Sequence, residues 1–298
     1  MSMLNIKTED FKLYLALCPF IKLQDARLIL QATLRTAFVN LSFYSLNKIG
    51  LRSELILEFL IWQKEFDFNH FKKRLASENI KLLSSCDDLH SKIFKEIACP
   101  PAFLFYKGDI SILNRNNVLY LAMVGSRKNS NYGQRVVQEI LNKLGSNLKL
   151  ITISGLARGI DTHVHLESLK NQIPTIAVLG SGLFKERIYP RENIYLANEI
   201  VNNGGLLLSE FPPDSQPKRE HFPRRNRIIS ALSRGLLIVE ARERSGALIT
   251  ARYGLEQNKE VLAIPGNIFF EEYKGTNRLI QEGAYPVLNY EDIINYFN

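Results

Sequence analysis

Cysteine is scarce in this sequence and follows none of the spacings that bind metals or form redox pairs. The three cysteines are Cys18, Cys86 and Cys99, which is an odd number. A disulfide framework needs pairs, and zinc or CxxC sites need close spacings that these residues do not have. We therefore expect buried cytosolic thiols.

Long apolar runs are also missing. No run reaches the ~18 residues that would suggest a membrane span. The first residues, MSMLNIKTEDF, contain neither a basic region nor an apolar core of the secretory type. With 46% hydrophobic and 23% charged residues, the composition is that of a globular protein. We expect a cytoplasmic protein without membrane association.

The loops that bind nucleotide cofactors are absent as well. There is no G-x-x-x-x-G-K-[ST] loop, and GSGLFKER (180–187) has Lys185 where a dinucleotide loop has its third glycine. His163 and His165 lie two positions apart on a predicted helix, so their side chains point in different directions and make a poor metal pair. No serine or cysteine nucleophile has a base nearby in the sequence. We expect no cofactor, no metal and no catalytic residues.

Positive charge, in contrast, is abundant and concentrated. The net charge is +8, and residues 218–227 contain five basic side chains and one acidic one. Such a concentration favours an anionic partner.

The chain changes in character near residue 100. Residues 11–38 and 54–79 have apolar positions at helical spacing, whereas apolar strands alternate with helices after Cys99-Pro100-Pro101. The predicted strands are 118–125, 149–155, 174–180, 204–210, 235–241, 260–266 and 284–288. The predicted helices are 131–145, 158–170, 191–203, 224–233, 246–258, 276–283 and 291–297.

Continuous apolar strands separated by helices are typical of a mostly parallel sheet covered on both faces. We therefore predict an α/β fold with an extended, Rossmann-like, doubly wound sheet, preceded by a small all-helical domain. The predicted domains are residues 1–95 (helical) and 96–298 (Rossmann-like).

Three of the predicted strands end in small residues. The loops are Gly125-Ser126-Arg127, then residues 154–161 (SGLARGID), and later Ser245-Gly246-Ala247. Ligands of open α/β sheets gather outside the carboxyl ends of the strands, where glycine turns and helix N-termini accept anions. Together these loops favour an anion site over three unrelated tight turns.

The basic stretch PKREHFPRRNRIISAL (217–232) identifies the anion more closely. Pro213, Pro217 and Pro223 predict an extended loop, with a helix that begins near Arg224. Phe222 lies among the positive charges, where a nucleobase can stack on it. A charged groove with an aromatic platform predicts binding of single-stranded nucleic acid.

Many ordered segments resemble the DprA/Smf family of DNA-processing proteins over about residues 90–290. The matching segments are GSR (125–127), SGLARGID (154–161), GSG and YPREN (180–182, 189–193), LLLSEFPP (206–213), HFPRRNRIISALS (221–233), LIVEARERSGALITARYGLEQNKEVLAIPG (237–266) and GTNRLIQEGA (275–284).

This resemblance implies a protein that binds and protects single-stranded DNA, forms a homodimer and loads the RecA recombinase during natural transformation. Matched motif by motif, it places the DNA-binding residues at Arg127, Ser154, Gly155, Lys218, Phe222, Arg225 and Asn226.

Two other functions stay open on the sequence. The first is a Rossmann-like nucleoside-monophosphate phosphoribohydrolase, although residues 263–267 (AIPGN) lack the second glycine and the G-T step of its P-G-G-x-G-T loop. The second is a dimeric scaffold that binds only protein, which would leave the arginine cluster without a role. Release of base from nucleoside monophosphates would identify the enzyme.

Overall fold

The computed structural model describes residues 5–33, 38–40, 42–48, 50–95 and 97–297. Its contacts divide the chain into two compact units. The first contains Met1–Lys95 and Cys99–Phe105, and the second contains Glu96–Ala98 and Tyr106–Asn298. The domain boundary that we predict between residues 95 and 96 stays a prediction. No helix in the described ranges is long and apolar enough to cross a bilayer.

The first unit is mainly helical. Its helices are α1 (Thr8–Leu17), α2 (Leu23–Thr33), α3 (Phe43–Lys48), α4 (Ser53–Glu65), α5 (Phe68–Ser77) and α6 (Asp88–Ile93). Its strands are β1 (Asn5–Lys7), β2 (Phe38–Asn40), β3 (Lys81–Ser84) and the first residues of β4 (Phe103–Gly108). The helical character that we predict is confirmed, and the short strands are an addition that helical periodicity did not indicate. Residues 34–37 of the predicted helical stretch lie outside the described residues.

The second unit alternates strands and helices. Its strands are β5 (Leu119–Gly125), β6 (Leu150–Ser154), β7 (Thr175–Val178), β8 (Leu206–Ser209), β9 (Gly235–Glu240), β10 (Glu260–Ala263) and β11 (Tyr285–Pro286). Its helices are α7 (Asn131–Asn147), α8 (Ile160–Lys170), α9 (Ile194–Asn202), α10 (His221–Ala231), α11 (Gly246–Glu256), α12 (Lys274–Gln281) and α13 (Tyr290–Phe297).

The sheet of the second unit is parallel and doubly wound. Its strands lie in the order β11-β10-β9-β5-β6-β7-β8, and each of the six neighbouring pairs is parallel. The chain builds outward from β5 to β8 and then returns to place β9 on the other side of β5. The order of the strands therefore reverses beside β5, and the α/β fold that we predict is confirmed.

The core of this unit follows from its apolar patterning. The residues of β6, β7, β8 and β9 are all buried, as continuous apolar strands require. On α7, Val137, Ile140, Leu141 and Leu144 share one face and are buried with sheet residues such as Met123. The rigid sheet that results fixes the loops at its carboxyl edge.

The cysteines correct one expectation. Cys18 is buried and Cys86 is half-buried, but Cys99 is exposed. Burial raises the pKa of the Cys18 thiol and that of the Cys86 thiol. The expectation of buried thiols is therefore wrong for Cys99, because the chain emerges into solvent just before its paired prolines.

Candidate nucleic-acid interface

A cavity of about 600 Å³ opens at the carboxyl edge of the sheet. Three segments contribute most of its lining: the β5–α7 loop, α10 with the residues before it, and the β9–α11 loop. The lining residues are Val124, Gly125, Ser126, Arg127, Lys128, Ala157, Asp161, Tyr189, Arg219, Phe222, Pro223, Arg225, Asn226, Ile229, Arg242, Arg244, Ser245, Gly246, Ala247, Ile249 and Thr250. Because β5 and β9 are neighbours at the reversal of strand order, the cavity lies where open α/β sheets bind their ligands.

The β5–α7 loop is held in one conformation by hydrogen bonds. Ser126 Oγ donates to the carbonyl oxygen of Lys128 (2.9 Å) and accepts from its N–H (3.1 Å). The Ser130 N–H (3.0 Å) and hydroxyl (3.0 Å) both donate to Oε2 of Glu240, which is fully buried at the end of β9. Burial raises the pKa of the Glu240 carboxyl. These bonds leave the side chains of Arg127 and Lys128 exposed at the cavity.

Glycine brings the next loop against this one. Gly159, before α8, has φ +78°, and a Cβ there would collide with the carbonyl oxygen of Ser126. The N–H of Ile160 donates to that same oxygen at 3.1 Å. The small residues of the SGLARGID segment therefore allow backbone to meet backbone under the cavity.

The start of α10 differs from the expectation. The helix begins at His221, so Phe222 and Pro223 lie in its first turn and not in an extended loop. Proline is tolerated there because an N–H of the first turn has no partner within the helix. The Phe211 ring stacks on the imidazole of His221 at 3.8 Å between centroids, which ties this helix start to the segment after β8.

Phe222 forms the aromatic part of the cavity wall. Its ring packs on Gly180, where an added Cβ would approach Cδ1 of the ring to 2.9 Å. The guanidinium carbon of Arg127 lies 4.9 Å from the centroid of the Phe222 ring, in cation–π geometry. The Tyr189 ring is 5.7 Å away and tilted by 56°. Two of the predicted residues, Arg127 and Phe222, are therefore in contact.

Arg225 lines the cavity and is only 3% exposed. Its Nη1 donates to the carbonyl oxygens of Gly155 (2.6 Å) and Val178, and its Nε donates to Oδ1 of Asn226 (3.1 Å). Burial lowers the pKa of Arg225 to about 10, which leaves the side chain charged at neutral pH. Burial also raises the pKa of the Asp161 carboxyl, against the opposing charge of Arg225.

Asn226 connects two elements of the cavity. Its Nδ2 donates to the carbonyl oxygen of Gly246 at 3.3 Å, while its Oδ1 accepts from Arg225. The side chain therefore links α10 to the start of α11.

The three remaining predicted residues lie outside the cavity lining. Ser154 is fully buried and its hydroxyl donates to the carbonyl oxygen of Met123 (2.7 Å). Gly155 is buried, and its N–H donates to Oδ2 of Asp161 (3.1 Å). Lys218 is exposed just before α10, where its carbonyl oxygen accepts from the N–H of His221 (3.0 Å).

The predicted set lacks five cationic or aromatic residues of the lining: Lys128, Tyr189, Arg219, Arg242 and Arg244. Arg219 stands within the basic stretch and could have been found from it. Arg242 and Arg244 lie just before the Ser245-Gly246-Ala247 turn that we place at the anion site, but their approach to the β5–α7 loop depends on the pairing of β5 with β9.

The charges of the cavity are largely uncompensated. Within the described ranges, no carboxylate forms an ion pair with Arg127, Lys128, Arg219 or Arg244, while Arg242 pairs with Glu272 at 2.6 Å. The same ranges contain no group of three or more His, Cys, Asp or Glu side chains that could hold a metal ion. The cavity is thus suited to a ligand that carries negative charge and an aromatic face.

Comparisons with known proteins agree with this geometry. The family model of DNA recombination-mediator protein A matches residues 81–298. DNA processing protein DprA of Bacillus subtilis (strain 168) is 43% identical over 199 residues, which are 67% of this chain and 65% of that protein. DNA processing protein DprA of Streptococcus pneumoniae is 37% identical over 289 residues, which are 87% of this chain and 98% of that protein.

Solved structures match as well. The X-ray structure of DprA from S. pneumoniae has a TM-score of 0.83 and 34% identity, and covers 98% of this chain and 99% of that one. A structure reported for the single-stranded DNA binding mode of DNA processing protein A from Helicobacter pylori has a TM-score of 0.64 and 28% identity, and covers 73% of this chain and 94% of that one. The resemblance to DprA/Smf proteins is confirmed, and the chain belongs to the family of DNA recombination-mediator protein A.

Proposed function

We propose that this protein binds single-stranded DNA in the cavity at the carboxyl edge of its sheet, without preference for a base sequence. The observation that carries this proposal is the group of exposed cations without carboxylate partners around the Phe222 ring. The H. pylori relative, whose structure is reported for its binding of single-stranded DNA, supports it.

The chemistry of the cavity fits a single strand. Phosphates are neutralised by arginine and lysine, and a stacked base contributes ~1–3 kcal/mol whatever its identity. Only unpaired bases can turn an exposed face toward Phe222 or Tyr189, since the bases of a duplex are stacked on each other. The cavity therefore favours single strands over duplexes.

Within this proposal, some of the predicted residues contact the strand and the others support the structure of the cavity. Arg127 and Phe222 contact the strand, and Lys218 meets the backbone outside the cavity. Arg225 and Asn226 are buried residues of the lining, and their hydrogen bonds within the protein leave limited capacity for a ligand. Ser154 and Gly155 shape the loop beneath them.

Binding without catalysis is the second part of the proposal. Residues 263–267 carry the segment that a phosphoribohydrolase would use, and none of them lines the cavity. We therefore favour a cytoplasmic DNA-binding protein over the hydrolase. An assay for base release from nucleoside monophosphates, with none expected, tests this choice.

The direct test of DNA binding is a titration with labelled single-stranded and double-stranded oligonucleotides across a salt series. We expect the single strand to bind more tightly, with log affinity falling by ~0.7 per log unit of salt for each neutralised phosphate. An affinity that does not depend on the salt concentration, or that is higher for the duplex, would contradict the proposed site.

We further propose that the protein is a homodimer that loads RecA onto single strands during transformation. The C-terminal third of the second unit supports a dimer surface, because Phe269 is 86% exposed, Phe270 is 55% exposed and Leu288 is 78% exposed. Exposed apolar groups of this size are typical of protein–protein contacts.

Light scattering at micromolar concentration measures the oligomer, and a monomer would refute the dimer while leaving DNA binding intact. RecA assembly on strands coated with single-strand-binding protein tests loading. Unchanged assembly in the presence of this protein would reduce its role to binding.

A further inference from the structure

One wall of the cavity contains none of the predicted DNA-binding residues. It consists of the β9–α11 loop and the first residues of α11, and it shares the cavity with Arg127 and Phe222. Its lining residues are Arg242, Arg244, Ser245, Gly246 and Ala247. The loop is tied to α10 through the hydrogen bond from Asn226 to the carbonyl oxygen of Gly246. Its position relative to the aromatic wall is therefore set by α10.

The two arginines of this loop differ in their partners. Arg242 donates to Glu272 at 2.6 Å, so its charge is compensated. Arg244 is exposed at the cavity, and no carboxylate in the described part of the chain pairs with it. Elsewhere in this unit, exposed arginines such as Arg252 and Arg278 each pair with a glutamate one helical turn away.

The other unpaired cations of the cavity lie on different segments. Arg127 and Lys128 belong to the β5–α7 loop, and Arg219 precedes α10. Like charges around one opening repel each other, and anions bound between them remove that repulsion. One phosphate can neutralise one of these segments, whereas a chain of successive phosphates can neutralise several.

We propose that Arg244 binds a second phosphodiester of the strand, separate from the phosphate at Arg127, so that the strand is held at both walls of the cavity. This inference rests on the proposed binding of single-stranded DNA and extends it to a residue outside the predicted set. The ligand class is an oligonucleotide backbone, since a mononucleotide has too few phosphates to reach both walls.

The test is Arg244→Gln, which removes the charge and keeps a polar, though shorter, side chain. We expect affinity for a labelled oligo-dT strand to fall by about three- to tenfold, and the salt slope to fall by ~0.7. Arg244→Lys should restore most of the slope, because a lysine also neutralises a phosphate. Arg252→Gln on α11 is the matched control, since Arg252 is exposed but does not line the cavity.

The outcomes separate this inference from the proposed function. If the unaltered protein fails to bind the strand, both are overturned. Suppose that it binds, that Arg127→Ala weakens binding, and that Arg244→Gln leaves the affinity and the salt slope unchanged. Then only the proposed phosphate contact of Arg244 is wrong. Equal losses in Arg244→Gln and Arg252→Gln would also overturn it, because the effect would then be a general one of net charge. Thermal melting of each variant confirms that the fold is retained.

Discussion

Arg225 and Arg127 line the same cavity, yet their surroundings are opposite. Arg225 is 3% exposed, and its guanidinium donates to two backbone carbonyls and to Asn226. Arg127 is exposed, and its guanidinium lies over the Phe222 ring. In the sequence, both residues lie in segments that resemble the DprA/Smf family, GSR (125–127) and HFPRRNRIISALS (221–233).

The difference shows that partners, and not residue type, decide what an arginine does. A buried guanidinium must satisfy its N–H groups within the protein, since an unpaired buried charge is strongly destabilising. Its hydrogen bonds then stabilise the loops that it joins. An exposed guanidinium without a carboxylate partner is free to bind a phosphate.

The largest effect is expected for Arg225→Met, which keeps most of the volume and removes the charge. The carbonyls of Gly155 and Val178 lose their donor, and buried Asp161 loses the nearby positive charge. We expect the free energy of unfolding to fall by about 3–5 kcal/mol, measured by urea denaturation.

Its matched control is Arg224→Met, one residue earlier on α10. The Arg224 side chain is 53% exposed and pairs with Glu210 at 3.0 Å. Glu210 is buried, but it keeps its ion pair with Arg227 at 2.5 Å when Arg224 is replaced, so we expect a loss of only about 0–1 kcal/mol. Equal losses in the two variants would show that burial does not distinguish these arginines.

The second prediction concerns another buried basic side chain, the imidazole of His165 on α8. The side chain is fully buried with Nδ1 2.8 Å from Oγ1 of Thr175, and burial lowers its pKa to about 3, so it is neutral where Arg225 is charged. Because the unfolded chain takes up the proton at about pH 6.5 and the folded protein does not, stability is lost as pH falls from there toward pH 3.

The expected contribution of His165 is about 1.4 kcal/mol per pH unit in that window. It is measured as the difference in urea stability between the protein and His165→Gln at several pH values. Should the variant fail to fold, NMR of the imidazole decides, and protonation of His165 above pH 5 in the folded protein would contradict the prediction.

The third prediction concerns Phe222, the ring that exposed Arg127 contacts. Phe222→Ala removes the ring on which a base stacks, and we expect binding of single-stranded DNA to weaken by ~1–3 kcal/mol. The salt slope should stay nearly unchanged, because stacking releases no counterions. Leu255→Ala removes an exposed apolar side chain elsewhere in the second unit, so it should leave DNA binding unaffected.

The smallest effect is expected for Arg127→Ala, which should lower the salt slope by ~0.7 and weaken binding for all sequences alike. Because Arg127 contacts Phe222, the two substitutions should not be additive. A double-mutant cycle in the binding assay measures the coupling. Additive losses, with the slope changed equally by both substitutions, would contradict separate roles in phosphate binding and stacking.

The fold could largely be predicted from the sequence. Continuous apolar strands such as 235–241 and amphipathic helices such as 131–145 have local patterns that few other folds satisfy. In the structure α10 begins three residues before the predicted start, because the stacking of Phe211 on His221 is a contact between residues ten positions apart. The short strands β1 and β2 pair across more than thirty residues, which periodicity does not report.

By itself, the sequence determined the α/β class, the clustered positive charge, and the family motifs that contain Arg127 and Phe222. These properties depend on side-chain pattern and on residues close together in the chain. Only the tertiary structure decided which cations are buried and which are exposed, because their partners come from distant segments. Arg225 meets Gly155, and the β9–α11 loop with Arg244 meets the β5–α7 loop, only after the parallel strands have aligned their carboxyl ends.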